Sequence, residues 1–137
     1  MAAVIEHLPT LDDQVRLAAL RDRLEAGIAG ALPDVEILGA KTTRICNTSC
    51  IRFAGCEGDG IMMALDIDGI CVSTGSACSS GSIEPSPILL GMGLTRAEAK
   101  ETVRFSLPPN ISAEEIDVAI DATIRVVRKI RSISESL

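Results

Sequence analysis

Apolar residues recur along this chain at two periods, and the switches between them mark its elements. Leu17, Leu20, Leu24 and Ile28 share one face of a helix that Thr10 can cap and that Gly30 and Pro33 end. Residues 35–38 (VEIL) are a short strand candidate, and residues 48–54 (TSCIRFA) alternate well enough for a half-buried strand. From residue 58 to 68 the pattern is helical, with Ile61, Met62 and Leu65 inward and Gly69 as the stop. Residues 70–73 (ICVS) read as a third strand. Ser86 and Pro87 make a helix start, cap first and proline at the first helical position. Residues 95–98 (TRAE) fit a capping box for another short helix. Residues 102–107 (TVRFSL) alternate as a strand, which Pro108 and Pro109 end because proline cannot donate to a ladder. Residues 112–115 (SAEE) form a second capping box, opening a long last helix with Ile116, Ile120, Ile124, Val127 and Ile130 on one face.

This order shows no repeat and no internal linker. It predicts one α+β domain over residues 1–137, a small antiparallel or mixed sheet with helices on one face. The composition is 47% hydrophobic, enough for a core, but two Phe are its only aromatics. The core must therefore be built from Ile, Leu, Val, Ala and Met. A net charge of −6 without a basic run argues against nucleic acid and against an anionic membrane surface as partners. No apolar run approaches the ~18 residues of a membrane helix. The start, MAAVIEHLPT, lacks the pattern of a signal peptide. A cytoplasmic setting with reduced thiols is expected, and five cysteines, an odd number, do not make a complete disulfide framework.

Residues 73–86 (STGSACSSGSIEPS) raise the question of chemistry. A structural cysteine is normally buried as a small hydrophobe, yet the neighbours of Cys78 offer no apolar pocket. Six residues between Ser73 and Ser82 are Ser or Thr and two are Gly, a composition expected to be solvated and mobile, with Cys78 exposed. Strands and helices resume on both sides, so a functional loop is a better account than a linker. A mobile thiol suits attack in one place and delivery in another. No lysine follows the glycines as in a P-loop. Cys46 and Cys50 form C-x3-C, with Cys56 six residues on. A zinc or iron–sulfur site is conceivable, but the proposed strand puts Cys46 and Cys50 on one face with Thr48 between them, and the single His7 is distant. Incidental reduced cysteines are the favoured account. Cys71, in an apolar strand, reads as core. Arg104, mid-strand, either faces solvent or aims its planar fork into a cleft to hold a carboxylate, and pattern alone favours solvent.

Taken together, GICVSTGSACSSGSIEPSPILLGMGL, then VRFSLPPNISAEEID at the right distance, resembles the C-terminal part of cysteine desulfurases. These are class-V aminotransferases of the nitrogen-fixation and iron–sulfur-assembly branch. RICNTSCIRFAGCEGDGIMMALD matches their preceding strand and helix, and the similarity runs from about Leu11 onward. The resemblance implies the C-terminal small domain of a fold-type-I pyridoxal phosphate (PLP) enzyme that takes sulfur from L-cysteine and leaves alanine. It implies that Cys78 attacks the substrate sulfur, becomes a persulfide and carries the sulfur to an iron–sulfur scaffold or another acceptor protein. It implies that Arg104 binds the substrate α-carboxylate. Members of this family are about three times longer. Their large domain carries the Schiff-base lysine, a stacking histidine and an aspartate on the pyridine nitrogen, and it makes most of the homodimer interface. None of these can be placed on Lys41, Lys100, Lys129 or His7. The isolated chain is therefore expected to hold no PLP and to be inactive alone. A stand-alone persulfide carrier without PLP chemistry is the alternative. Pro108 and Pro109 replace the usual glycine after FSL, which puts the aim of Arg104 in question.

Overall fold

Both predicted capping boxes form, and a third joins them at Thr10. In each, the hydroxyl accepts from the backbone N–H three residues on, and that residue's carboxylate accepts from the cap's own N–H: Thr10 with Asp13 (3.1 and 2.9 Å), Thr95 with Glu98 (3.2 and 2.8 Å), Ser112 with Glu115 (3.1 and 2.8 Å). Orphan donors at three helix starts are thereby satisfied. The structure, a computed structural model, describes residues 10–74 and 85–136. Cys78 and the expected mobility of its loop lie outside the described residues.

The elements are α1 (Leu11–Ala31), β1 (Val35–Ile37), β2 (Thr48–Phe53), α2 (Gly58–Ile67), β3 (Ser73–Thr74), α3 (Pro87–Gly91), α4 (Arg96–Lys100), β4 (Thr102–Ser106) and α5 (Ala113–Ser134). The four strands form one sheet in the order β1-β2-β4-β3, every pair antiparallel. This is the predicted α+β class. Ser86 and Pro87 hold the predicted places at the start of α3, although the Ser86 side chain makes no capping bond.

Period-2 alternation gives the sheet two different faces. Ile51 and Phe53 of β2 and Val103 and Phe105 of β4 point to one side. There they meet Leu17, Leu24 and Ile28 of α1, Ile61 and Leu65 of α2, and Ile116 and Val127 of α5, all nearly inaccessible to solvent. Leu20, Ile120, Ile124 and Ile130 pack against this core from its margin. The other face carries a smaller cluster of Leu38, Leu89 and Ala99, with Cys50, Leu90 and Leu94 packed on it, beneath α3 and α4. Arg52, on that face, reaches Glu36, Glu98 and Glu101 at 3.5, 3.1 and 2.9 Å, tying α4 to the sheet.

Two expectations need correction. Residues 70–73 do not form a strand of their own length, because among the described residues only Ser73 and Thr74 pair with β4. The in-and-out alternation nevertheless persists: Ile70 and Val72 pack against the core while Cys71 between them is exposed. An apolar neighbourhood suggested burial, but the period of an extended chain puts Cys71 opposite its two neighbours. Cys46 and Cys50 do not share a face either. Cys46 lies two residues before β2, outside its alternation, and packs against the large core, whereas Cys50 packs on the small cluster of the other face.

Candidate functional site

Arg104 sits in the middle of β4, and register decides its neighbours. Cys50 of β2 is its Cα partner on one side and Ser73 of β3 on the other. All three belong to the face away from the three long helices. The Arg104 Nε donates to Ser73 Oγ at 3.1 Å. Its side chain is exposed, and among the described residues no carboxylate pairs with it. A guanidinium beside open space, with no carboxylate partner among the described residues, can take an incoming carboxylate with two parallel bonds.

That open space is a cleft of about 370 Å³, within the size range of small-molecule sites. Arg104, Cys50 and Thr48 form its sheet side, the residues before β2 give Leu38, Thr42, Arg44 and Ile45, and α3 with Met92 closes it. Burial pushes the Cys50 thiol up from its ordinary pKa, with the Arg104 charge and a Thr102 hydrogen bond pulling the other way. Cys50 therefore stays a neutral thiol at neutral pH. Arg44 is bound bidentately by Glu25 of α1, at 2.7 and 3.1 Å.

The prolines do not disturb this arrangement. The Leu107 N–H still donates to the Asn47 carbonyl at 2.8 Å, so Pro108 enters only after the ladder is complete. The Pro108–Pro109 turn is then held from α1, where Arg16 donates to the carbonyls of Pro109 and Ile111. A second, larger groove of about 840 Å³ runs beside Cys71, Phe105 and Pro108. Its charged lining residues, Asp68, Glu114 and Glu115, are all acidic, which disfavours an anionic substrate there.

Of the two predicted site residues, the structure places Arg104 at a cleft, and Cys78 lies outside the described residues. Lys41, Lys100 and Lys129 are exposed, and none lines the cleft. The described residues thus place no lysine amine in this cleft. They form no cluster of three or more metal-ligating side chains either. Cys50 and Arg44 were not singled out for this site in the sequence. Alternation of β2 and β4 carries the signal for Cys50, but only the register brings it to Arg104.

The sequence profile of the aminotransferase class-V family matches residues 1–118. Cysteine desulfurase 2 of Trichormus variabilis is 43% identical over 124 residues, which cover 90% of this chain and 31% of that enzyme. The cysteine desulfurase NifS of Azotobacter vinelandii is 40% identical over 122 residues, 89% of this chain and 30% of the enzyme. The crystal structure of a NifS-like protein from Rickettsia africae superposes with a TM-score of 0.71 at 25% identity, over 85% of this chain and 29% of the other. The chain thus spans about three-tenths of the length of the relatives it matches.

Proposed function

The chain belongs to the aminotransferase class-V family, and from that premise we propose that it is the C-terminal small domain of a cysteine desulfurase. Class-V aminotransferases and cysteine desulfurases depend on PLP. In this reading the remainder of a longer enzyme holds the cofactor and its lysine, and the chain alone is inactive. The observation that carries the reading is Arg104: a guanidinium at a cleft, with no carboxylate partner among the described residues, bonded to the residue that opens the Cys78 segment.

Arg104 takes the α-carboxylate of L-cysteine and so fixes the orientation of the substrate's side chain. Cys78 follows Ser73 by five residues, a tether of at most about 18 Å. The Cys78 thiolate attacks the substrate sulfur, a new S–S bond forms, and the substrate's Cβ–S bond breaks. L-Cysteine and the thiol become L-alanine and a Cys78 persulfide, with no external oxidant or reductant. PLP, when bound, supplies the electron sink for that cleavage. The persulfide sulfur then passes to an acceptor protein such as an iron–sulfur scaffold. The enzyme is a homodimer in the cytoplasm. Among the described residues no helix is long and apolar enough to cross a membrane.

Incubating the chain with PLP and L-cysteine, with and without a separately supplied PLP domain, tests this. Alanine is expected only with that domain present. Sulfur acceptance at Cys78 from a persulfidated donor, with no alanine under either condition, would favour the stand-alone carrier instead.

A further inference from the structure

The wall that faces Arg104 across the cleft is built from irregular chain. Residues 38–47 connect β1 to β2, and Leu38, Thr42, Arg44 and Ile45 from this loop line the cleft. Its two ends are anchored, Leu38 in the small cluster and Cys46 against the large core, but between them residues 40–43 are exposed and Ile45 is 66% exposed. The attachment of Arg44 and Ile45 comes from behind, from α1. Arg21 donates to the Ile45 carbonyl at 2.7 Å, and Glu25 accepts both terminal nitrogens of Arg44. Arg21 and Glu25 are four residues apart, on one helix face, and grip two consecutive loop residues. The three side chains involved are largely withdrawn from solvent, at 11% for Arg21, 11% for Glu25 and 17% for Arg44. Asp22 steadies the Arg21 guanidinium from its other side, at 2.7 Å.

We propose that Arg21 and Glu25 are a clamp that sets the loop wall of the Arg104 cleft, with Glu25 a positioning residue for substrate binding that acts through Arg44. Its role in substrate binding rests on the reading of Arg104 as the carboxylate site. A buried ion pair adds little net stability over an apolar pair of the same volume. What it adds is direction: a bidentate bond fixes both the place and the plane of Arg44. Removing the Glu25 charge leaves the largely withdrawn Arg44 with only the more distant Asp22 to balance it, and the loop moves out to hydrate it. The cleft then widens, and Cys50 on its sheet side becomes more accessible.

Cys50 therefore reports on the clamp without any cofactor. In the chain as it stands, Glu25→Gln is expected to speed alkylation of Cys50 by iodoacetamide about tenfold or more, the scale of a lost charged hydrogen bond. Cys56, 1% exposed in the core on the opposite side, should keep its rate. Glu25→Asp, which shortens the carboxylate but keeps its charge, should give a smaller rise and serves where Glu25→Gln folds poorly. In the complete enzyme Glu25→Gln should raise KM for L-cysteine with kcat little changed. An unchanged Cys50 rate, or Cys50 and Cys56 rising together, would overturn the clamp, and an unchanged KM beside an opened Cys50 would overturn its role in substrate binding. Arg104→Lys, measured in parallel, separates the two ideas: if it leaves KM unchanged, the carboxylate reading fails and the labelling result stands or falls by itself.

Discussion

Arg104 and Cys71 both sit in extended chain with apolar neighbours, and side-chain parity separates their fates. In β4, Val103 and Phe105 turn to the core and Arg104 turns away; before β3, Ile70 and Val72 turn inward and Cys71 turns out. Parity was legible in the sequence, and the expectation that Cys71 is core went against it. Being exposed, Cys71 should react with iodoacetamide quickly, so it cannot serve as a slow reference thiol. Cys56 can. Peptide mapping after brief alkylation should show Cys71 modified well before Cys56, and equal rates would mean that Cys71 is shielded in solution. For Arg104, substitution by lysine keeps the charge and loses the fork. In the complete enzyme Arg104→Lys should raise KM for L-cysteine roughly tenfold, the scale of one charged hydrogen bond. Sulfur transfer from a pre-loaded Cys78 should be unaffected, and an unchanged KM would remove Arg104 from substrate binding.

Among the elements, helix starts were the most legible, because a capping box is local: four residues specify it. Ser112→Ala should cost about 1 kcal/mol of stability, measured by denaturant unfolding. The box carboxylates also respond to pH. Hydrogen bonds from Thr10 hold Asp13, and those from Thr95 hold Glu98, below their ordinary pKa values. A folded pKa below the unfolded one means these groups stabilise the fold above the ordinary carboxylate range. That contribution is lost as pH falls through the depressed values. Melting temperature should therefore drop as pH falls below about 4, and Asp13→Asn should flatten that drop while lowering stability at neutral pH. Strand extent was less legible, since the pairing that starts β3 at Ser73 rather than at Ile70 depends on β4, about thirty residues away in sequence. The seat of α2 was not legible at all. A Cβ on Gly58 would lie 2.4 Å from the Thr102 carbonyl oxygen, a backbone atom that cannot swing aside. Gly58→Ala should thus destabilise by about 1–3 kcal/mol, although alanine is the better helix former, and a neutral or stabilising result would show that α2 stands further from β4.

For the molecule as a whole, the order of elements and their periods were enough for the α+β class, because each long helix shows one apolar stripe and each strand alternates. What they could not supply was the site. Cys50, Ser73 and Arg104 lie far apart in sequence and meet only through the β2-β4-β3 register, which no local pattern encodes. The Arg21–Glu25 grip on the β1–β2 loop is likewise a long-range contact between charged residues that read as solvated surface. Cys78 was singled out by composition, and the role given to it joins the sheet site to the proposed chemistry. In the proposed reaction sulfur from L-cysteine passes onto this one thiol. The direct measurement is to give the complete, PLP-loaded enzyme limiting L-cysteine, quench, and map the cysteine peptides by mass spectrometry while counting alanine. One added sulfur atom is expected on the Cys78 peptide, removable by thiol, in amounts that match the alanine formed, and no alanine from the Cys78→Ser enzyme. Alanine formed with Cys78 unmodified, or undiminished in Cys78→Ser, would contradict it.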